Sequence, residues 1–200
     1  FCIAVRIYPS YGATEAKVPD IVDAVFLYLV DFYAASSERV FEAAADVLDI
    51  FFMGNDFGGQ TGPLLSEPLF QRFLLPHLKR LIDLGHGYGL KTMLHCCGKV
   101  DEIFPDLIEC GLDVFNPFQP EVTDVFRMKQ QYGDRLSFWG GISTQRLLPY
   151  GTPDQVRREV KKMLDVVGKN GGYFAAPAHD IPADAKPENI AAMIEVLQNQ

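Results

Sequence analysis

The feature that most constrains this chain is a repeated alternation of short apolar runs with amphipathic helical patterns. "VLDIFFMGND" (47 to 56) is rich in strand formers and closes on Gly, Asn and Asp, which reads as a buried strand ending in a loop. A helical pattern follows it, with Ser66 placed to cap and Pro76 placed to kink. The pair recurs four more times: strand 90 to 95 with helix 100 to 110, 112 to 116 with 121 to 131, 136 to 140 with 143 to 148, and 172 to 176 with 187 to 198. Before the last strand, "GTPDQVRREVKKMLDVVG" carries a Thr152 and Gln155 capping box, Pro153 at the first helical position and Gly168 as its stop. Ahead of the first strand, apolar spacing over 19 to 46 predicts two helices separated near Ser36 and Ser37.

Buried strands alternating with outer helices predict an α/β fold with a parallel sheet, and one domain spans residues 1 to 200 on this reading. Residues able to do chemistry stand just after the strands: Asp56 and Gln60, His95 and Cys97, Asn116 and Gln119, Ser143, Gln145 and Arg146, then His179 and Asp180. In a (βα)8 barrel the reactive groups gather at that end. A doubly wound open sheet obeys a similar rule, but no Gly-rich dinucleotide or phosphate fingerprint follows any strand, and "GNDFGGQTG" lacks the lysine of a P-loop.

A net charge of −8, from 26 acidic and 18 basic side chains, gives nucleic acid no electrostatic footprint and favours a small-molecule substrate. No apolar run approaches the roughly 20 residues of a membrane span. Four cysteines, Cys2, Cys96, Cys97 and Cys110, make no disulfide framework, which fits a reducing, cytoplasmic setting. The first residue is Phe1, as in a processed chain or a piece of a longer one.

The sharpest stretch is "LKTMLHCCGKVDEIF" (90 to 104). Alternation along a strand puts His95 and Cys97 on one face and Cys96 on the other. His95 and Cys97 are then a usable pair of zinc ligands, although core-edge histidine and small buried cysteines account for the same residues. Catalytic zinc takes three protein ligands, so a third donor decides between them.

"LHCCGKVDEIFPDLIECGLDVFNPFQP", "LSFWGGISTQRLLPYGTPDQVRREV" and "GGYFAAPAHDIPADAKPENIAAMIEV" together resemble the C-terminal part of the uroporphyrinogen decarboxylase superfamily. That superfamily includes zinc-dependent methyltransferases acting on corrinoid proteins, such as methylcobalamin:coenzyme M methyltransferase. The likeness runs from about Val22 to the end, and residues 1 to 18 are unmatched. It implies a TIM-type (βα)8 barrel, of which five βα units are visible and roughly three N-terminal units are missing. Open sheet edges in such a piece imply a homo-oligomer, or a truncated subunit with no catalysis of its own.

The methyltransferase branch implies a His-x-Cys-Gly segment with two zinc ligands, met here by His95, Cys97 and Gly98, and a later cysteine near the last strand. This chain has "APAHDI" there, so His179 stands where the third ligand is expected. A corrinoid carried by a partner protein would complete that chemistry. The decarboxylase branch implies porphyrinogen decarboxylation without metal, with a histidine near the last strand that His179 also matches, and with an aspartate and arginines from absent N-terminal motifs. Of this chain's arginines, only Arg146 lies near a strand end. The expected site is therefore Asp56, Gln119 and His179 as catalytic groups, Gln60, Asn116 and Arg146 as substrate contacts, and His95, Cys97 and His179 as metal ligands. His77 and His86 are expected at the surface and Cys110 in the core.

Overall fold

The structure, a computed structural model, describes residues 19–200. These fall into two compact units, one ending at Asp113 and the other beginning at Val114.

The first unit opens with α1 (Pro19–Ala44), one continuous helix where two were expected. Ser36 and Ser37 do not break it because Ala34, Ala35, Glu38 and Arg39 around them are good helix formers with no Gly or Pro between them. Phe26, Val30 and Phe41 turn inward and are buried. Ion pairs Arg72–Asp23 (2.8 Å) and Arg80–Asp31 (2.5 Å) tie α1 to α2 (Glu67–Phe73) and α3 (Leu75–Gly87). Ser66 stands at the N-cap of α2, yet its side chain makes no capping hydrogen bond. The expected kink at Pro76 is a full break at Leu74, with Pro76 in the first turn of the new helix. His86 is exposed, as expected. His77 instead is half-buried with its ring 6.0 Å from that of Phe26, and desolvation lowers its pKa against the opposing charge of Asp23.

Strands β1 (Ile50–Gly54) and β2 (Lys91–His95) pair in parallel with Gly54 opposite His95, so both chains leave the sheet at the same level. Beyond β2, a 3-10 turn over Asp101–Ile103 leads into α4 (Phe104–Glu109). Cys110 is buried, as expected. At the opposite end of the strands Asp113 is a hub. Its carboxylate accepts from Lys91 Nζ (2.8 Å), the Thr92 amide (2.9 Å) and Thr92 Oγ1 (3.2 Å), and pairs with His86 Nε2 (2.8 Å). Burial alone would raise its pKa, but the hydrogen bonds from Lys91, His86 and Thr92 hold it down at about 2.

The second unit carries β3 (Val114–Phe118), β4 (Ser137–Ile142) and β5 (Tyr173–Pro177), with β3–β4 and β4–β5 both parallel. Between them lie α5 (Val125–Tyr132), the short α6 (Leu147–Tyr150) and α7 (Pro153–Lys162). A π-helical turn, Met163–Val167, extends α7 up to Gly168. The capping box of Thr152 and Gln155 is formed as its spacing predicts. The chain ends in α8 (Pro187–Gln198). Ile142, Leu148, Val156, Val160, Ala192 and Met193 form a buried cluster, and Phe118 stacks on Phe138 at 4.1 Å. Gly140 has φ +126° and sits so close to β3 that a Cβ there would lie 2.8 Å from the Phe118 nitrogen. The close approach at this glycine is thus to a neighbouring strand.

Candidate functional site

In the first unit the site is built where β1 and β2 end. His95 is the last residue of β2, and the period-two alternation carries past it as expected. Cys96 turns inward and is wholly buried, and its sulfur accepts a hydrogen bond from the Phe57 amide at 3.2 Å. Burial pushes its thiol up to about 12, so Cys96 remains a neutral core group. Cys97 turns the other way, and its Sγ lies 3.3 Å from His95 Nε2.

That separation has chemical meaning. Two ligands on one tetrahedral zinc, with a Zn–S bond near 2.3 Å and a Zn–N bond near 2.0 Å, sit about 3.5 Å apart. The imidazole and the thiol of this pair therefore stand at the spacing of neighbouring zinc ligands. The ring of His95 is steadied by Phe52, edge-on with centroids 6.1 Å apart.

The backbone around the pair is held from the loop after β1. The Asn55 amide donates to the His95 carbonyl (2.9 Å), and the Cys97 amide donates to Asp56 Oδ1 (2.8 Å). The Lys99 amide donates to the Gly59 carbonyl (2.8 Å). Between these bonds the two loops touch at glycines. Gly98 has φ +92°, and a Cβ there would lie 2.5 Å from the carbonyl carbon of Gly58. A Cβ on Gly58 would lie 2.6 Å from the Cys97 carbonyl oxygen. Only glycine fits either position. Gln60 is exposed two residues beyond Gly58.

In the second unit Asn116 lies inside β3, not just after it, and its side-chain amide donates to the Trp139 carbonyl on β4 at 3.3 Å. The Asn116–Pro117 peptide is cis. Gln119 is buried directly after β3, and its carbonyl accepts from the Val122 and Thr123 amides. Arg146 is exposed and lines a crevice of about 480 Å³ shared with Glu121, Tyr150 and Glu159. His179 is exposed beyond β5, and its Nδ1 accepts from the Asp180 amide at 2.8 Å.

Sequence reasoning missed Glu121. Its Oε1 accepts a hydrogen bond from the Ser143 hydroxyl and another from the Gln145 amide at 3.4 Å. The Ser143 oxygen in turn accepts from the Arg146 and Leu147 amides, both at 3.1 Å. Glu121 thus ties the loop after β3 to the loop after β4. The signal was present as an acid following "QP" beyond a strand, but only its contact with Ser143 shows what it does.

The profile of the uroporphyrinogen decarboxylase (URO-D) family matches residues 11–200. The chain belongs to that family. Its fold is accordingly that of five βα units of a TIM-type α/β barrel. The match begins at residue 11, ahead of Val22 where the likeness was expected to start, so residues 11–18, expected to be unmatched, belong to it. Over 186 residues it is 30% identical to the methylcobamide:CoM methyltransferase MtaA of Methanosarcina barkeri, covering 92% of this chain and 51% of that protein. Over 188 residues it is 28% identical to the uroporphyrinogen decarboxylase of Xanthomonas euvesicatoria pv. vesicatoria, covering 90% of this chain and 48% of that one. The URO-D family chain thus spans about half the length of the curated relatives it matches. A solved methyltransferase from Methanosarcina mazei shares the fold, with TM-score 0.59 and 23% identity, over 76% of this chain and 42% of its own.

Proposed function

We propose that this URO-D family chain serves zinc-assisted methyl transfer to a thiol or from a corrinoid. The observation that carries the reading is the 3.3 Å approach of Cys97 Sγ to His95 Nε2, the spacing of adjacent ligands on one tetrahedral ion. Support also comes from the likeness to a methylcobamide:CoM methyltransferase. His179, which follows β5 as His95 ends β2, is the third ligand in this proposal. Zinc, when bound, would lower a substrate thiol's pKa and hold it as thiolate.

The chain's own groups have separate tasks. Asp56 holds the Cys97 amide, which fixes where the sulfur points. It is a positioning residue on this reading. Gln119 is proposed as a catalytic group, and Gln60, Asn116 and Arg146 as substrate contacts. The partner would be a small substrate and a corrinoid-carrying protein in the cytoplasm. Among the described residues no helix is long and apolar enough to cross a membrane.

One observation favours a second reading, decarboxylation of a porphyrinogen without metal. Because His179 Nδ1 accepts the Asp180 amide, the neutral ring carries its proton on Nε2. In that tautomer the ring donates a hydrogen bond, as a substrate carboxylate requires, and ligation of zinc through Nε2 would require the proton to move. The likeness to uroporphyrinogen decarboxylases supports this alternative.

Zinc stoichiometry separates the two. Protein purified without chelator is expected to hold about one zinc per chain, and Cys97→Ala to hold none. A folded wild type without zinc would sink the methyl-transfer reading and leave decarboxylation.

A further inference from the structure

The crevice of about 480 Å³ in the second unit lies among that unit's own helices, walled by α5, α6 and α7 over the end of β4. Its volume falls within the range of pockets that enclose small ligands. The floor is apolar, made by Val125, Phe126, Ile142, Val160 and Met163. All of these but Phe126 are buried, so the floor is held from behind by the core.

Three charged side chains stand around that floor: Glu121, Arg146 and Glu159. None answers another. Among the described residues the Arg146 guanidinium and the Glu159 carboxylate enter no hydrogen bond or ion pair, although both line the same crevice. The Glu121 carboxylate is divided. Its Oε1 accepts from Ser143 and Gln145, whereas its Oε2 is sealed from solvent and has no donor. A carboxylate oxygen held out of water without a donor is rare in folded chains. It leaves uncompensated negative potential behind the floor, where little water screens it.

We infer that this crevice binds a zwitterion with an apolar body, the chemistry of an apolar amino acid. The ligand's carboxylate meets Arg146, whose planar fork suits it, its ammonium meets Glu159, and its side chain covers the floor. Other ligand classes leave groups unmatched. A simple anion such as phosphate would use Arg146 but face two carboxylates and leave the apolar floor bare. A simple cation would leave the guanidinium unanswered. A neutral apolar ligand would desolvate all three charges and pair none of them.

This site goes beyond the zinc reading. All its residues belong to the second unit, whereas His95 and Cys97 belong to the first, so the two readings can fail separately. Arg146, proposed above as a substrate contact, is here given the kind of group it holds.

Isothermal titration calorimetry on the 200-residue chain as purified tests the inference, with zinc content measured on the same sample. Three probes are used: L-phenylalanine, 3-phenylpropanoate, which lacks the ammonium, and 2-phenylethylamine, which lacks the carboxylate. Phenylalanine is expected to bind with a Kd of about 1 mM or tighter, and each analogue about tenfold more weakly. Arg146→Ala should weaken phenylalanine about tenfold without weakening 2-phenylethylamine, and Glu159→Gln should weaken phenylalanine about tenfold without weakening 3-phenylpropanoate. Both side chains are exposed, so both variants should melt like the wild type. Phe126→Ser should weaken all three probes. Absence of phenylalanine binding at about 10 mM overturns the inference, as does equal binding of the three probes or binding that neither charge variant alters. A folded chain that holds no zinc yet binds phenylalanine in this pattern sinks the methyl-transfer reading and upholds this one.

Discussion

The Cys97 amide donates a 2.8 Å hydrogen bond to Asp56 Oδ1, so an acid from the loop after β1 sets the position of a thiol from the loop after β2. The bond joins residues 41 apart in sequence at the end of a parallel strand pair. Removing the acceptor in Asp56→Ala should cost about 1 kcal/mol and lower Tm by a few degrees. Zinc affinity should fall by more than that stability loss accounts for, because the sulfur loses its fixed direction. Asp56→Asn, which keeps an acceptor oxygen, should retain most of both. Titration with a competing zinc chelator on the two variants reads the difference, and equal affinities in Asp56→Ala and wild type would remove Asp56 from the site.

The adjacent cysteines should behave as different residues. Cys96 is fully buried and accepts the Phe57 amide, whereas Cys97 is partly exposed beside His95. Iodoacetamide on the native, chelator-treated protein should label Cys97 at least tenfold faster than Cys96, read by peptide mass spectrometry. Prior loading with zinc should protect Cys97. Equal labelling of the pair would contradict the alternation of faces across them.

Gly98 should be intolerant of any side chain. Its φ of +92° is already unfavourable for an L residue, and the added Cβ would meet Gly58 backbone, which has no flexible end to yield. Gly98→Ala is expected to cost about 2 kcal/mol or more, seen in a urea midpoint shift. Gly62→Ala, where a Cβ meets nothing within 4 Å, is the matched control and should be near neutral.

Asp113 should make stability fall in acid. Its pKa in the folded chain is held at about 2, below the roughly 3.9 of an unfolded aspartate. A depressed carboxylate stabilises the fold above the unfolded value, and that contribution is lost as pH falls from about 5 through the folded pKa. With exposed Lys91 screened by solvent, the contribution is roughly 1–2 kcal/mol. Urea unfolding at pH 7 and pH 3 should show the loss in wild type and a smaller one in Asp113→Asn. An Asp113→Asn chain as acid-sensitive as wild type would refute the assignment.

The strand and helix order was legible in the sequence because burial in a parallel sheet imposes continuous apolar runs and outer helices impose a 3.6-residue period. The five strands lie within two residues or so of their expected places, and the Thr152 box is local chemistry that needs no tertiary context. The same is true of His95 and Cys97: sharing a face follows from the period of a strand. The errors fell where neighbours decide. Serines 36 and 37 look like a break until one sees a helix carried through them, and His77 looks solvent-exposed until Phe26 covers it.

What the sequence by itself determined is therefore the alternation of elements, the end of the strands at which reactive groups stand, and the pairing of one histidine with one cysteine. Tertiary structure alone decided the supports: the Asp56 anchor, the Gly58 and Gly98 contact, the Glu121 bond to Ser143 and the Asp113 hub. Each joins residues far apart in the chain through a contact of a few ångströms. No local period encodes such a distance, which exists only once the strands have been brought side by side.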